Sequence, residues 1–298
     1  MEIKSQQHNV LNKPDTMKNK LVGAKRMTHA KPQFKEHQLA KPRGQNAITD
    51  QIVELIRMRR SIRQMTGERI PDEDLELILD AARYAPSPEN MQMMRFVVIR
   101  DDQEMKQIIA DISQEAARYV FGNFPYEATQ GRLWYLPDAN RPSTYEEMRD
   151  GSLFRYPEKA DAVIVCCASE TWHDSTAMYP NELCGSVVVA MGVLSMWLVA
   201  HSMGYACAYQ AVPFIDKRHV EFICDKIGIP RTWTPIAAFC IGIPEKPRML
   251  GPSRWPLEGS FYAERWGVPY QRLAFRNQKA EKSKQKPKTK RKRMKAQR

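Results

Sequence analysis

Residues 71–99 read PDEDLELILDAARYAPSPENMQMMRFVVI, in which a helix, a stiffened loop and a strand follow one another directly. Pro71 and the three acidic residues after it are typical of a helix start, because the acids lie at the positive end of the helix dipole. One apolar stripe at helical spacing continues from there: Leu75, Ile78, Leu79 and Ala82. Pro86 ends this helix. Phe96–Ile99 is a short, largely β-branched run, which predicts a buried strand.

Helices and strands alternate along the rest of the chain. Buried strands are predicted at Ala162–Ala168 and Pro235–Ile243, with a shorter strand at Cys207–Gln210. Asp216–Ile227 has the pattern of an amphipathic helix. Residues 121–160 are rich in Pro, Tyr, Arg and Glu, and we interpret them as an insertion or a lid-like segment. The order of elements predicts an α+β fold of three layers (α/β/α), with a mixed central sheet flanked by helices.

One uncharged run, Leu183–Ala200, is about as long as a membrane span. Small and polar residues interrupt it at Gly185, Ser186, Gly192 and Ser195. We therefore interpret it as a helix buried all round, in the core or in a subunit interface, with a membrane span as the alternative.

The formal net charge of +12 is concentrated at the two ends of the chain. Residues 1–45 carry +7 and residues 277–298 carry +10, which leaves −5 for the body between them. Neither end has a sustained apolar pattern, so we predict disordered basic extensions at 1–45 and 277–298 around one folded domain at 46–276. The charge gives no reason to expect nucleic-acid binding by the body. The tail predicts weak, non-specific binding of polyanions through counterion release.

The cysteine pattern indicates free thiols. Six cysteines occur without any C-x-x-C pair, and most stand in apolar runs: Cys166, Cys167, Cys184, Cys207, Cys224 and Cys240. This argues against a disulfide framework and against a structural zinc site. With no apolar leader evident at the N-terminus, we expect a cytoplasmic protein.

Two clusters carry the candidate chemistry, and the first is Arg59-Arg60-Ser61-Ile62-Arg63. It follows a helix predicted from the spacing of Ile52, Leu55 and Ile56. Three guanidinium groups and a hydroxyl are suited to phosphate and to paired carbonyl acceptors. A solvated basic helix end is the other interpretation of this cluster taken alone.

The second cluster is the loop Pro86-Ser87-Pro88-Glu89-Asn90-Met91-Gln92, which leads straight into the first strand. Two prolines stiffen it. Ser87, Asn90 and Gln92 offer both donors and acceptors, as recognition of a ring edge with alternating donors and acceptors requires.

Together, the two clusters resemble the start of the nitroreductase family of FMN enzymes. The family pattern R-x-S-x-R appears at Arg59–Arg63, I-P-x-x-x-L at Ile70–Leu75, and A-P-S followed by N-x-Q at Ala85–Gln92. Later segments are similar too: His201–Tyr205, Ile227–Pro230, Ile241–Pro244 and Arg254–Glu258. Met93-Met94 departs from the family's Pro-Trp, and Ala206 stands where a second glycine is common.

The resemblance implies a set of cofactor contacts. Arg59 and Ser61, with Arg254, are expected at the FMN phosphate and ribityl chain, and Arg63 near the N1–C2=O edge, where a cation stabilises the reduced flavin. Asn90 is expected at the pyrimidine side of the ring. The other residues counted as cofactor-binding are Arg60, Pro86, Ser87, Gln92, Tyr209 and Gln210.

The resemblance also implies an activity. NADH or NADPH would deliver hydride to flavin N5, and an electron-poor acceptor such as a nitroaromatic or quinone would take it in a ping-pong cycle. No catalytic side chain is required. The family's homodimer builds each FMN site from both subunits, with 183–201 as the natural interface helix.

Three alternatives remain at this stage. The same flavin cradle serves reductive dehalogenation, flavin breakdown or azoline oxidation in other enzymes. The chain could instead be a polyanion-binding protein that acts through its tails, or a flavin-free structural relative. No G-x-G-x-x-G after a strand, Walker A loop, H-E-x-x-H or G-x-S-x-G motif occurs, so Rossmann, P-loop, zinc-protease and α/β-hydrolase sites are not supported.

Overall fold

The computed structural model describes residues 44, 46–122, 141–169, 183–246, 254 and 257–268. The predicted basic extensions, apart from position 44, therefore lie outside the described residues, as does 123–140. The chain divides into two units, Met1–Ala47 and Ile48–Arg298. The helices are α1 Ala47–Met58, α2 Asp72–Ala82, α3 Gln103–Phe121, α4 Arg141–Arg149, α5 Leu183–Ser202, α6 Lys217–Ile227 and α7 Leu257–Ser260. The strands are β1 Met94–Ile99, β2 Ala162–Ser169, β3 Ala206–Gln210 and β4 Trp233–Gly242.

The strands form one sheet in the order β1-β2-β4-β3. All three pairings among the described strands are antiparallel, so the predicted mixed pairing is corrected for this part of the chain. Apolar runs without alternation are usual in parallel sheets, because helices cover both faces there. Here helices cover both faces of an antiparallel sheet. Its strands therefore carry apolar residues on both faces and have the same sequence pattern.

Successive residues of β2 enter two separate cores, one on each face of the sheet. Ile164 and Cys166 lie in a cluster with α2 and α5, whereas Val163 and Val165 lie in a cluster with α3 and α6. Every residue of β2 is buried. The predicted three-layer α+β class is confirmed. Among the described strands β1 pairs with β2 alone, and the strand that the sequence predicts to be buried is buried only in part.

Part of the predicted insertion belongs to the core. Residues 152–154 and 156–159 form 3-10 turns, and Tyr156 is buried in the α3 face of the sheet. The aromatic and prolyl side chains give this stretch no regular sequence pattern, and in the structure such side chains fill the core. Its lid-like character is therefore not supported for residues 150–160.

Helix α5 packs on the sheet along one side. A Cβ at Gly185 would lie 3.0 Å from the Cβ of Ala168, and a Cβ at Gly192 would lie 3.1 Å from the sulfur of Met94, so both glycines permit close helix–sheet contact. The opposite side is open, with Val187 52% and Leu194 49% exposed. The single chain alone therefore does not bury this helix all round, and its burial in a subunit interface stays a prediction. By length and composition α5 could also cross a membrane.

A buried ionic network joins α2, β1 and β2. Asp161 accepts hydrogen bonds from Arg100 Nη2 at 2.8 Å and from the Ile70 amide at 3.1 Å. Arg100 also donates to Asp72 at 2.7 Å and to the Ile70 carbonyl. Burial lowers the pKa of Arg100, but hydrogen bonds and charges from Asp161 and Asp72 outweigh it and raise the pKa above its usual value. The network fixes the entry to α2 against the edge of the sheet.

The six thiols are free, and five of them are buried. Burial raises the pKa of Cys167 to about 12 and raises the pKa values of Cys166, Cys207 and Cys240 as well. Cys184, near the start of α5, is partly exposed. The five buried thiols therefore act as small core side chains, as the sequence indicates.

Candidate functional site: an arginine cluster at the edge of the sheet

The arginine cluster lies along the outer edge of β3, the last strand of the described sheet. The Ile62 amide donates to the Cys207 carbonyl at 2.9 Å, and the Thr66 amide donates to the Ile243 carbonyl at 2.9 Å. These bonds fix residues 62–66 beside the sheet, directly after α1. The predicted arginines are therefore held by ordered backbone and do not form a loose helix end.

Arg59 is held in place, but one of its buried donors has no hydrogen-bond partner among the described residues. Its guanidinium carbon lies 4.2 Å from the centre of the Trp197 ring, while its Nη1 is buried and makes no hydrogen bond within the described part of the chain. Burial lowers the pKa of Arg59, and the charges of Arg254 and Arg60 lower it further. A cation that is desolvated and surrounded by like charges is a favourable place for an anion.

Arg60 and Ser61 continue the same segment. Arg60 Nη1 donates to the Arg57 carbonyl at 2.6 Å and to the Arg59 carbonyl at 2.7 Å. Its Nε is buried and has no partner among the described residues. Trp197 Nε1 donates to the Arg60 carbonyl at 3.2 Å. Ser61 is partly exposed. Arg254 is exposed and acts electrostatically on Arg59, so the structure brings this predicted C-terminal arginine to the cluster.

Arg63 lies beside the buried Tyr156. Its guanidinium carbon is 6.0 Å from the ring centre, and among the described residues the buried Arg63 Nε and the buried Tyr156 hydroxyl have no partner at good hydrogen-bond geometry. Burial raises the pKa of Tyr156 well above its usual value, and the charge and the approaching donors of Arg63 oppose this only in part. The hydroxyl therefore stays protonated and can serve as a donor.

The loop Ser87–Gln92 has an unusual backbone. Glu89, Asn90 and Gln92 have φ values of 49°, 56° and 51°, in the left-handed region that favours glycine. The Gln92 amide donates to Ser87 Oγ at 3.0 Å, and Arg95 Nη1 donates to the Gln92 carbonyl at 3.0 Å. Strain maintained by such contacts is typical of binding loops.

The loop also exposes its polar residues. Pro86, Asn90 and Gln92 are exposed and Ser87 is partly exposed. Among the described residues, no hydrogen bond or ion pair connects this loop to the Arg59–Arg63 segment. The single chain therefore does not join the two predicted clusters by polar contacts.

The two predicted residues at the end of β3 point to opposite faces. Tyr209 is partly exposed and packs on the α5 side of the sheet, where burial raises its pKa. Gln210 is buried and its Nε2 donates to Ser113 Oγ on α3 at 3.0 Å, whereas its Oε1 has no partner. The Gln210 side chain therefore belongs to the interior, and a contact to a ligand from this position would come from its backbone.

Trp197, Tyr156 and Ser113 are neighbours of the site that the sequence analysis missed. Trp197 is 137 positions from Arg60, and no periodicity or motif signals that distance. Tyr156 lies in a stretch with no regular pattern, and Ser113 reads as one polar position inside a helix.

The fold and these contacts define an α+β protein with an unsatisfied cationic site at the edge of its sheet. The model of the nitroreductase family matches residues 56–243. The chain therefore belongs to the nitroreductase family, and it is an oxidoreductase.

Individual relatives are distant. An NADPH-dependent oxidoreductase of Staphylococcus haemolyticus is 22% identical over 72% of this chain and 74% of its own length. A relative in Archaeoglobus fulgidus is 42% identical, but only over 59 residues, which are 20% of this chain and 34% of that protein. A protein from Desulfovibrio desulfuricans, crystallised with FMN, shares the fold at 24% identity with a TM-score of 0.50, over 75% of this chain and 99% of its own.

Proposed function

We propose that this chain binds FMN and transfers reducing equivalents from NADH or NADPH to an electron-poor acceptor. The observation that carries the proposal is the set of buried, unpartnered nitrogens on Arg59, Arg60 and Arg63. Buried donors without acceptors are costly, and a bound phosphate or ring carbonyl would satisfy them. The family and the FMN held by the Desulfovibrio desulfuricans relative support the same cofactor.

The donor set fits the two ends of FMN. Arg59 and Arg60, with Arg254 nearby, supply positive charge and fork-shaped donors for the phosphate, and Ser61 adds a hydroxyl. Arg63, beside the neutral Tyr156, supplies a cation for a carbonyl edge. Asn90 and Gln92 on the strained loop supply amide groups for the remaining ring edge, with Pro86 and Ser87 setting the entry to the loop. FMN, when bound, supplies the hydride acceptor and donor, N5.

The protein's own residues bind and orient under this proposal, and no side-chain base is needed. The cation at Arg63 favours negative charge on the nearby ring edge, which makes the bound flavin easier to reduce by two electrons. The choice between nitroaromatic, quinone and other acceptors depends on the open face of the ring. Met93 and Met94, which replace the family's usual Pro-Trp, are buried in the core and supply no exposed surface for that choice in the single chain.

The test of the proposed function is the visible spectrum of the purified protein. We expect a yellow protein with one FMN per chain, identified after release, which NADH or NADPH bleaches under anaerobic conditions. Protein that is colourless and fails to quench added FMN contradicts the proposal. Bound flavin that neither NADH nor NADPH reduces would instead favour another reaction on the same cradle.

We further propose that the active form is a homodimer. The open side of α5 and the apolar residues Ile52 (51% exposed) and Ile56 (55% exposed) of α1 supply uncovered apolar surface. Such surface on a water-exposed protein usually marks an interface. A partner would also bring a second Ser87–Gln92 loop. Within the described residues of one chain, this loop makes no polar contact with the arginine cluster, so the partner's loop could complete the site.

Leu194→Arg is expected to convert the dimer into a monomer, because it places a charge in the uncovered apolar face of α5. Sedimentation velocity measures the change. The matched control is Phe222→Arg on α6, which is 45% exposed but lies on the other layer of the fold, and which should remain dimeric. Wild-type protein that sediments as a flavin-loaded monomer would contradict the dimer.

The basic tail is expected to bind polyanions without contributing to turnover. Removing residues 278–298 should abolish most retention on heparin at low salt, because retention of this kind depends on counterion release. Flavin content and NAD(P)H oxidation should stay at wild-type levels. Unchanged heparin retention would mean that the basic surface lies elsewhere, and loss of activity would mean that the tail takes part in the site.

A further inference from the structure

Trp197 on α5 contacts two of the residues proposed to bind phosphate. We propose that Trp197 is a positioning residue that holds the Arg59–Arg60 segment ready for a phosphate group. This inference rests on the proposed function, because it takes the FMN phosphate as the anion. It concerns a residue that lies outside both sequence clusters and that touches the arginines, not the anion.

Two contacts from one side chain carry the inference. The Trp197 ring face lies under the Arg59 guanidinium at 4.2 Å, and its indole N–H donates to the Arg60 carbonyl at 3.2 Å. The first contact fixes a side chain and the second fixes the backbone of the next residue. The ring is itself held against Phe239 of the sheet, with 5.6 Å between ring centres. Trp197 therefore connects the arginine segment to the rigid core.

The physical need for this contact comes from like charges. Arg60 and Arg254 both repel Arg59, and no carboxylate of the described residues is paired with it. Before an anion binds, the side chain would therefore gain by turning into solvent. A tryptophan face attracts a guanidinium electrostatically. It engages the flat face of the group and leaves the N–H donors in its plane for oxygen acceptors. The buried, unpartnered Nη1 of Arg59 is such a donor. Holding it in advance reduces the entropy lost on binding.

Comparison of FMN with riboflavin tests the inference, because riboflavin presents the same ring without the phosphate. Affinities are measured from flavin fluorescence, and thermal unfolding of the flavin-free protein is followed in parallel. Trp197→Leu should lower FMN affinity about ten-fold and leave riboflavin affinity within about two-fold of wild type. Trp197→Phe retains a ring face, so its FMN affinity should fall by no more than about three-fold.

The matched control is Trp233→Leu, which removes the ring that lies 4.8 Å from Arg95. It should leave the ratio of FMN to riboflavin affinity unchanged. The inference is overturned if Trp197→Leu weakens both flavins equally, as a general structural role predicts, or if it leaves FMN affinity unaltered. Wild-type protein that binds neither flavin overturns the proposed function and this inference together. Wild-type protein that binds both flavins equally overturns this inference, because the phosphate then contributes nothing, but leaves the proposed function standing.

Discussion

Arg59→Gln is expected to weaken FMN binding by about 10- to 100-fold while leaving riboflavin binding nearly unchanged. Loss of a hydrogen bond to a charged group typically costs about 1.5–3 kcal/mol, which corresponds to this range. The substitution keeps a polar side chain of similar length but removes the charge and the fork of donors. Equilibrium titration of flavin-free protein with each flavin measures both values.

The same substitution should not destabilise the flavin-free protein. Burial and two neighbouring cations already lower the pKa of Arg59, so its charge is unfavourable until an anion arrives. We therefore expect the Tm of the flavin-free variant to equal or exceed that of wild type, although its FMN affinity falls. The control is Arg83→Gln, an exposed arginine paired with Asp80, which should change neither quantity. Equal loss of FMN and riboflavin binding in Arg59→Gln would contradict the placement of the phosphate.

Asp161→Asn is expected to cause the largest loss of stability, about 3–5 kcal/mol in the free energy of unfolding. The change leaves the Arg100 guanidinium, only 10% exposed, with Asp72 as its remaining anionic partner. Breaking a buried ion pair from one side costs this much because the other charge stays buried. Urea unfolding followed by circular dichroism measures the effect.

The matched control for this change lies next to β1. Asp101→Asn breaks an ion pair with Arg69 of similar length, 2.6 Å, but both side chains are more than half exposed. Exposed pairs contribute at most about 1 kcal/mol, so this variant should unfold close to wild type. Equal destabilisation by the two substitutions would show that burial adds nothing to the contribution of the Asp161 pair to the free energy of unfolding.

The elements that could be predicted from the sequence are those with strong local signals. Pro71 and its acids lead into α2, and Asp216 and Gly228 bound α6, where the Asp216 side chain caps the first turn and Gly228 adopts a positive φ. Helix α3 is absent from the sequence prediction, although its apolar spacing from Met105 to Ala117 is regular. Its polar and charged outer face obscured that pattern.

Strand pairing could not be predicted, because it depends on residues far apart in the chain. Pro235 shows the difficulty. Proline is unexpected in a central strand, since it lacks an amide donor. It is accommodated because β4 carries one extra residue, so that Cys166 pairs with Ala237 and Cys167 with Pro235. Nothing local to Pro235 predicts that bulge.

The candidate site also has one part that the sequence predicts and one part that only the fold determines. The three arginines with unpartnered nitrogens stand in the segment that the sequence singled out, since their spacing is a local motif. The contribution of Trp197 and the interior orientation of Gln210 depend on which helices cover the sheet, and only the structure provides them.

The distribution of the thiols has a consequence for covalent chemistry. Only a thiolate attacks maleimides, iodoacetamide or quinones, so five deeply placed cysteines should resist alkylation at neutral pH. In the single chain, Cys184 is the one partly exposed thiol and therefore the one that a reagent can reach. As a monomer, such as the one expected of Leu194→Arg, the chain therefore offers a single attachment point for a fluorophore or spin label at the start of α5, without any cysteine having to be removed first.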